Sequence, residues 1–437
     1  MSEYKEQYAA AFKRQQTGGT NGTPPWLSAL RESGMSSFDA LGFPTSRNED
    51  WKYTSLEPLA AQNFASANGE AKNLRGGEIF ARSMIDPEAP RLVFINGRYS
   101  APLSDVGKSQ GDVAIQSLAE FIKRNDRSVA AQLGRYAKPQ GQAFTALNTA
   151  FLDDGAVISI PANRRVEQPI YLGFVSTAPS QPVVSYPRTL ILLGTDSEAK
   201  IVESYLGING SAYFCNAVTE LVGDAGAVVE HVRLQQECDD GFHIGTLAAN
   251  LARGCHLTAH ALSLSGGLVR NNVHVILNGE GAACVLNGLY LADGKQHIDN
   301  FTEIEHARPR ASSLELYKGI LGGSAHGVFN GKIIVHKDAQ KSDARQTNKN
   351  LLLSANAMVN TKPQLEIYAD DVKCSHGSTI GQIDADAMFY LRSRGLDIEQ
   401  ARSMLSFAFA SDVVGRIKIA SLRERLDEYL VGRFGRW

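Results

Sequence analysis

Cysteine is scarce in this chain, with five among 437 residues: Cys215, Cys238, Cys255, Cys284 and Cys374. An odd, thinly spread set excludes a disulfide framework and points to a reducing compartment, with most thiols acting as small buried hydrophobes. Histidine is missing before His231, and all ten fall between His231 and His376, so the middle of the chain is chemically distinct. That clustering fits either a site for soft ligands or β-rich segments that carry more Cys and His. Charge of neither sign is in excess: 44 Lys plus Arg stand against 46 Asp plus Glu, a net charge of −2. The electrostatic case for nucleic acid or an acidic membrane is therefore absent. No stretch approaches eighteen consecutive apolar residues, and the opening MSEYKEQYAAAFKRQQ lacks the apolar segment of a signal peptide, so a soluble, cytoplasmic protein is expected. The G-x-x-x-x-G-K-[ST] pattern is also absent, which removes nucleotide hydrolysis from this chain and assigns any ATP use to a partner.

What is present divides into three regions. Residues 1 to 16 read as a helix ended by TGGTNGTPPW, where Gly18, Gly19, Gly22, Pro24 and Pro25 cannot continue it, and a second helix begins near Trp26. From Ser46 to about Tyr136 short strands such as RLVFING (Arg91 to Gly97) mix with helical pieces such as Ile115 to Arg124, so 1–142 reads as an N-terminal helical and α/β cap. Across 143–383, short apolar segments recur between Gly, Asp, Asn and Ser. Turns start at Gly194, Gly223, Ala252 and Gly279, at almost even intervals. A sandwich would turn after each short strand with no longer period, whereas stacked coils repeat at one longer interval. The fold expected is mainly β, a right-handed parallel β-helix core. VHVIL (Val273 to Leu277) and QLEIY (Gln364 to Tyr368) alternate as such strands must, with His274, Glu366 and Tyr368 outward. Residues 384–437 read as a C-terminal α-helical segment, Asp384 to Arg394 and then Asp397 to Leu430, with a turn at Gly395. The last coil of a solenoid leaves an edge that the chain's own helices or another subunit must use.

Cys374 and His376 lie on that edge. In an extended segment they project from one face and could hold one side of a metal, since a thiolate suits iron and an imidazole suits borderline metals. Two ligands do not close a site, so others must come from elsewhere, another chain included. The alternative is a loop cysteine and a hydrogen-bonded histidine. Cys255, His256 and His260 form a second group that would support a self-sufficient metal protein, or serve solubility alone. HKDAQKSDARQTNKNLLLS from His336 reads as a surface turn whose charges pair with one another. SRNEDWKYTSL, where Trp51 and Tyr53 interleave with Glu49, Asp50 and Lys52, reads either as a binding patch or as a turn anchoring the cap by burial of Trp51. Phe389, Tyr390, Leu391, Arg392 and Arg394, with Leu405, form either a packed helix face or a protein interface. A different class, a β-helix carbohydrate-active enzyme, would need paired carboxylates such as Asp293, Asp299, Glu303 and Glu305.

The segments DVKCSHGSTIGQIDADAMFYLRSRGL, SRNEDWKYTSL and AQKSDARQTNKNLLLS resemble the SufB/SufD family of iron–sulfur cluster assembly proteins from about Ser46 onward. EDWKYTSL points to the SufD branch. The resemblance implies a non-catalytic scaffold that pairs with SufB through the β-helix end and binds the SufC ATPase through its C-terminal helices. It implies transient iron or nascent cluster at the SufB interface on His376, with Cys374 less secure, and no cofactor held tightly by the isolated chain. The free edge leaves a homodimer open when the chain is alone.

Overall fold

The structure is a computed structural model that describes residues 2–18, 23–67, 76–107, 112–125, 130–178 and 180–435. Its centre is a parallel β-solenoid of about eight turns. Strands Glu198–Gly210, Val228–Gln236, His256–Ser265, Ala283–Ala292, Ser312–Leu321, Asp343–Leu352 and Lys373–Gly381 stack in parallel as one sheet. Tyr213–Gly223, Gly241–Leu251, Leu268–Leu277, His297–His306, His326–Val335 and Met358–Ile367 stack as the facing one. The chain alternates between the sheets, so each coil contributes one strand to each. Along one edge the paired positions Val228, His256, Ala283, Ser312, Asp343 and Lys373 recur at nearly even intervals. The expected β-helix and its long period are both present.

The turns explain the period. Asp196, Gly226, Gly254, Gly281 and Arg310 have φ of 54°, 70°, 63°, 69° and 56°, and each is followed by a small buried residue: Ser197, Ala227, Cys255, Ala282 and Ala311. A left-handed residue turns the chain sharply, and only a small side chain fits the corner it creates. Cys255 is one of these corner residues. Between the corners, Leu257, Val273, Val275, Leu277, Ile298 and Ile333 fill the interior.

Both sheets are covered on their outer faces. On the second sheet Phe214, Phe242, Ile244 and Leu268 pack under the cap, against Tyr4, Tyr8, Phe38, Phe43 and Phe144. The cap's helices Ser2–Gly18 and Pro25–Leu41 and the strand Arg91–Ile95 lie where the sequence suggests. Ile115 to Arg124 does not start as a helix: Ala114–Ser117 is a strand paired antiparallel with Gly155–Ile160, and the helix Leu118–Arg124 begins where the Ser117 side chain accepts from the Glu120 N–H. The first sheet is covered by Ile398–Val414 and Ala420–Phe434, whose Val413, Val414, Leu422, Leu426 and Leu430 bury Leu234, Leu262, Leu289 and Leu316. These are two helices, not one run from Asp397 to Leu430. Between them Ile417 and Ile419 are buried and the Lys418 N–H donates to Glu230 Oε1 at 2.7 Å, so the break is pinned to the sheet. Because these helices lie on the flank, they do not cap the last coil. Met358–Ile367 and Lys373–Gly381 end their sheets, and most of the final strand is exposed.

Candidate functional site at the open coil

Lys373–Gly381 pairs in parallel with Asp343–Leu352, with Cys374 beside Ala344, His376 beside Gln346, Ser378 beside Asn348 and Ile380 beside Asn350. Ala344, Gln346, Asn348 and Asn350 are buried, so the same parity places Cys374, His376 and Ser378 on the inner face of the solenoid, at its open mouth. Cys374 is half-buried and His376 exposed. Burial and the nearby Asp343 carboxylate push the Cys374 thiol up, so it stays protonated at neutral pH until a cation displaces the proton. Among the described residues no group of three His, Cys, Asp or Glu side chains is placed to hold a metal. The two residues supply at most one edge of a coordination sphere.

The segment after His336 is not mainly a surface turn. Only His336–Ser342 turns; Asp343–Leu352 is a strand that runs directly under the Cys374 strand and sends Gln346, Asn348 and Asn350 inward. Within it, Asn350 Nδ2 donates to Asn348 Oδ1 at 2.7 Å, and Tyr290 donates its hydroxyl to Asn350. One pair of the expected kind exists, Arg345 with Asp343 at 3.1 Å.

The second soft-ligand group does not converge. Cys255 lies in its corner inside the solenoid, with burial pushing its thiol up to about 12. His256 is exposed on the outer face. His260 is buried on that face, 3.3 Å from Glu230, next to the Lys418 break. The acids of the glycosidase alternative are engaged as well. Asp299 pairs with Arg270 and accepts from the Thr54 hydroxyl; Glu303 pairs with His274 at 3.5 Å and lies 3.8 Å from Lys332; Glu305 lies 3.2 Å from His336. Asp293 sits apart, in the wall of a cleft of about 910 Å³ between the cap and the solenoid turns.

The cap motif is an anchor. Arg270 lies 3.8 Å over the Trp51 ring, Thr54 bonds His297 at 2.9 Å as well as Asp299, and Glu49 pairs with Lys362 on the last strand of the cap-side sheet. Burial lowers the His297 ring to about 4, so it stays neutral. In the helix Ala385–Ser393, Phe389 is 76% and Tyr390 56% exposed, which marks an apolar patch that the chain itself leaves open. Leu391 and Leu405 are half-buried, Arg392 and Arg394 exposed, and Arg394 lies 5.2 Å over the Tyr390 ring. Reasoning from sequence missed Glu315, a buried carboxyl two rungs below His376; its hydrophobic neighbours Leu314 and Leu316 suggest that it points outward.

The comparisons with known proteins place the chain in a family. Residues 174–409 match the SUF system FeS cluster assembly SufBD core domain, and residues 2–172 match the SufBD protein N-terminal region. An iron–sulfur cluster assembly SufBD family protein of Synechocystis sp. is 35% identical over 405 residues, 91% of this chain and 88% of the relative. The iron–sulfur cluster assembly protein SufD of Escherichia coli is 32% identical over 387 residues, 88% of each. The SufD of Bacillus subtilis is 24% identical over 416 residues, 92% of this chain and 93% of the relative. With both halves of the chain matched and SufD among its relatives, the chain belongs to the SufBD family of iron–sulfur cluster assembly proteins and is most like SufD.

Proposed function

We propose that this chain is a non-catalytic scaffold subunit of the SUF assembly complex, in the cytoplasm, that pairs with SufB through its open coil and with the SufC ATPase through its C-terminal helices. Iron or a nascent cluster is the cargo, held between His376, with Cys374 beside it, and ligands from SufB. The observation that carries the reading is the bare last coil, whose inner face presents a thiol and an imidazole two residues apart. An unpaired strand row favours another β-structure as its cover. An incomplete ligand set at such an edge is filled when that partner arrives.

SufC docking is supported by the exposed Phe389 and Tyr390 with Arg392 and Arg394, chemistry enriched at protein interfaces. ATP-driven approach of two SufC subunits would then strain the C-terminal helices of this chain and of SufB and open the interface to cargo. This step needs a bistable element between the ATP site and the coil end. The same bare edge would allow a homodimer when SufB is absent.

The test is co-expression with SufB and SufC from the same source, purification by a tag on this chain, and measurement of co-purifying subunits and iron. A complex whose iron falls in His376→Ala supports the reading. A chain that purifies alone, or a complex whose iron ignores that substitution, overturns it.

A further inference from the structure

Leu286, Glu315, Gln346 and His376 are successive rungs of one inward-facing row, spaced about 4.8 Å apart as strands in a sheet are. Glu315 and Gln346 are buried, and Gln346 Nε2 donates to Glu315 Oε2 at 2.7 Å. The other amide atom, Gln346 Oε1, is buried without a partner. Across the interior, a Cβ on Gly331 would come within 2.3 Å of Gln346 Nε2. The Gly331 backbone is not left-handed, so the missing side chain serves space: it leaves room for this amide. A carboxylate only accepts, so it holds the NH2 end of Gln346 toward itself and turns the amide oxygen away. The next rung in the row is His376, exposed at the mouth, whose ring carries an N–H donor.

We propose that Glu315 is a positioning residue for the open-coil site: it fixes the Gln346 carboxamide so that Oε1 accepts from one ring nitrogen of His376 and leaves the other free for cargo. A histidine that ligates a metal normally has its second nitrogen fixed this way, and loss of such a partner lowers metal affinity by roughly 10–100-fold. The inference rests on the cargo reading above only for the use made of the free nitrogen. A protonated Glu315 donates, and the amide then has reason to flip, so the arrangement is pH-sensitive. Burial raises Glu315 to about 7. The titratable groups facing it, Cys284 and Tyr317, are pushed far up by burial and by the Glu315 charge and stay neutral there. At the mouth of the row Asp343 stands beside Cys374.

The experiment follows the imidazole nitrogens of the full chain labelled with ¹⁵N-histidine, with His376 assigned as the signal lost in His376→Ala. The expected result is one His376 tautomer at pH 8 and a second appearing with a midpoint near pH 7. Glu315→Gln should abolish that step, and Gly331→Ala, which displaces Gln346 but keeps the carboxyl, should mix the tautomers already at pH 8. In complex with SufB, iron(II) affinity should fall roughly 10–100-fold in both variants. Wild-type tautomers and pH profile in both folded variants would overturn the proposal. Shifted tautomers in a complex whose iron ignores His376→Ala would uphold it and sink the cargo reading instead.

Discussion

Glu315→Gln should change stability in a way that depends on pH. Burial raises this carboxyl from 4.5 to about 7, and the Thr302 hydroxyl and Gln346 amide offset only part of that. The folded chain therefore holds a proton that the unfolded chain releases between pH 4.5 and 7. Across that window the native state binds more protons, so stability falls as pH rises and levels off above 7. From pH 5 to pH 8 the loss integrates to about 2–3 kcal/mol, at about 1.36 kcal/mol per pK unit. Glutamine keeps the shape but carries no proton to lose, and because it donates as well as accepts it no longer fixes the Gln346 amide. Whatever the substitution costs in packing is common to both pH values, so the difference isolates the carboxyl. Urea unfolding followed by circular dichroism should place the variant about 2–3 kcal/mol higher relative to wild type at pH 8 than at pH 5. An equal offset at both pH values, or a larger gain at pH 5, would refute the assignment of a raised, buried carboxyl at the core of the row.

Glu220 is fully buried; it holds Arg188 at 2.6 Å and accepts from the Gly134, Tyr136 and Ala137 N–H groups. Glu220→Ala should cost about 3–5 kcal/mol by leaving a buried guanidinium unpaired, with Arg188→Met plus Glu220→Leu recovering part of it in the same urea assay. A Cβ on Gly319 would lie 2.3 Å from Tyr290 Cε2, so Gly319→Ala should cost roughly 1–3 kcal/mol by overpacking, read as a lower Tm by calorimetry. Lys318 donates to the Phe409 carbonyl and pairs with Asp412 at 2.7 Å, and that hydrogen bond lowers the Asp412 carboxyl. A depressed carboxylate stabilises above its unfolded pKa and loses this on acidification. Hydrogen exchange in Ile398–Val414 should therefore rise below about pH 4, and Asp412→Asn should remove the change.

The solenoid was legible because its turns are chemically simple to recognise. Asp196, Gly226, Gly254 and Gly281, types that adopt positive φ readily, each precede a serine, alanine or cysteine at one corner per coil, although Arg310 takes the same place without that signal, and the interval follows from two strands plus two corners. Strand parity was much harder to read. In SSLELYKGIL, Leu314, Leu316 and Ile320 look like the buried set, yet Ser313, Glu315, Tyr317 and Gly319 face the interior. The reversal has a physical cause: around Leu316 and Ile320 the outer face of this sheet is itself buried by the C-terminal helices, while Leu314 is exposed, so both faces exclude water there and alternation no longer distinguishes them. The same burial hid the break at Lys418, where a glutamate from the sheet satisfies a backbone N–H that helical periodicity alone assigns to the helix.

The open-coil site was half legible for a related reason. C-x-H spacing places a thiol and an imidazole on one face of any strand, and a solenoid must end in an edge, so the place and its two side chains follow from local rules. The order of rungs beneath them does not. Which residue lies beneath His376 depends on coils of unequal length, as the steps from His256 to Ala283 and from Ser312 to Asp343 show, and one residue's error in register exchanges the Gln346 row for its outward neighbours. An inward row that stayed apolar to the mouth would offer the His376 ring no polar group from below. A row that ends in an amide held by a carboxyl brings the polar interior up to the rung beneath His376. The Asn and Gln content of the Ala339–Ser354 segment, which reads in sequence as an exposed turn, is therefore a polar floor beneath Cys374 and His376.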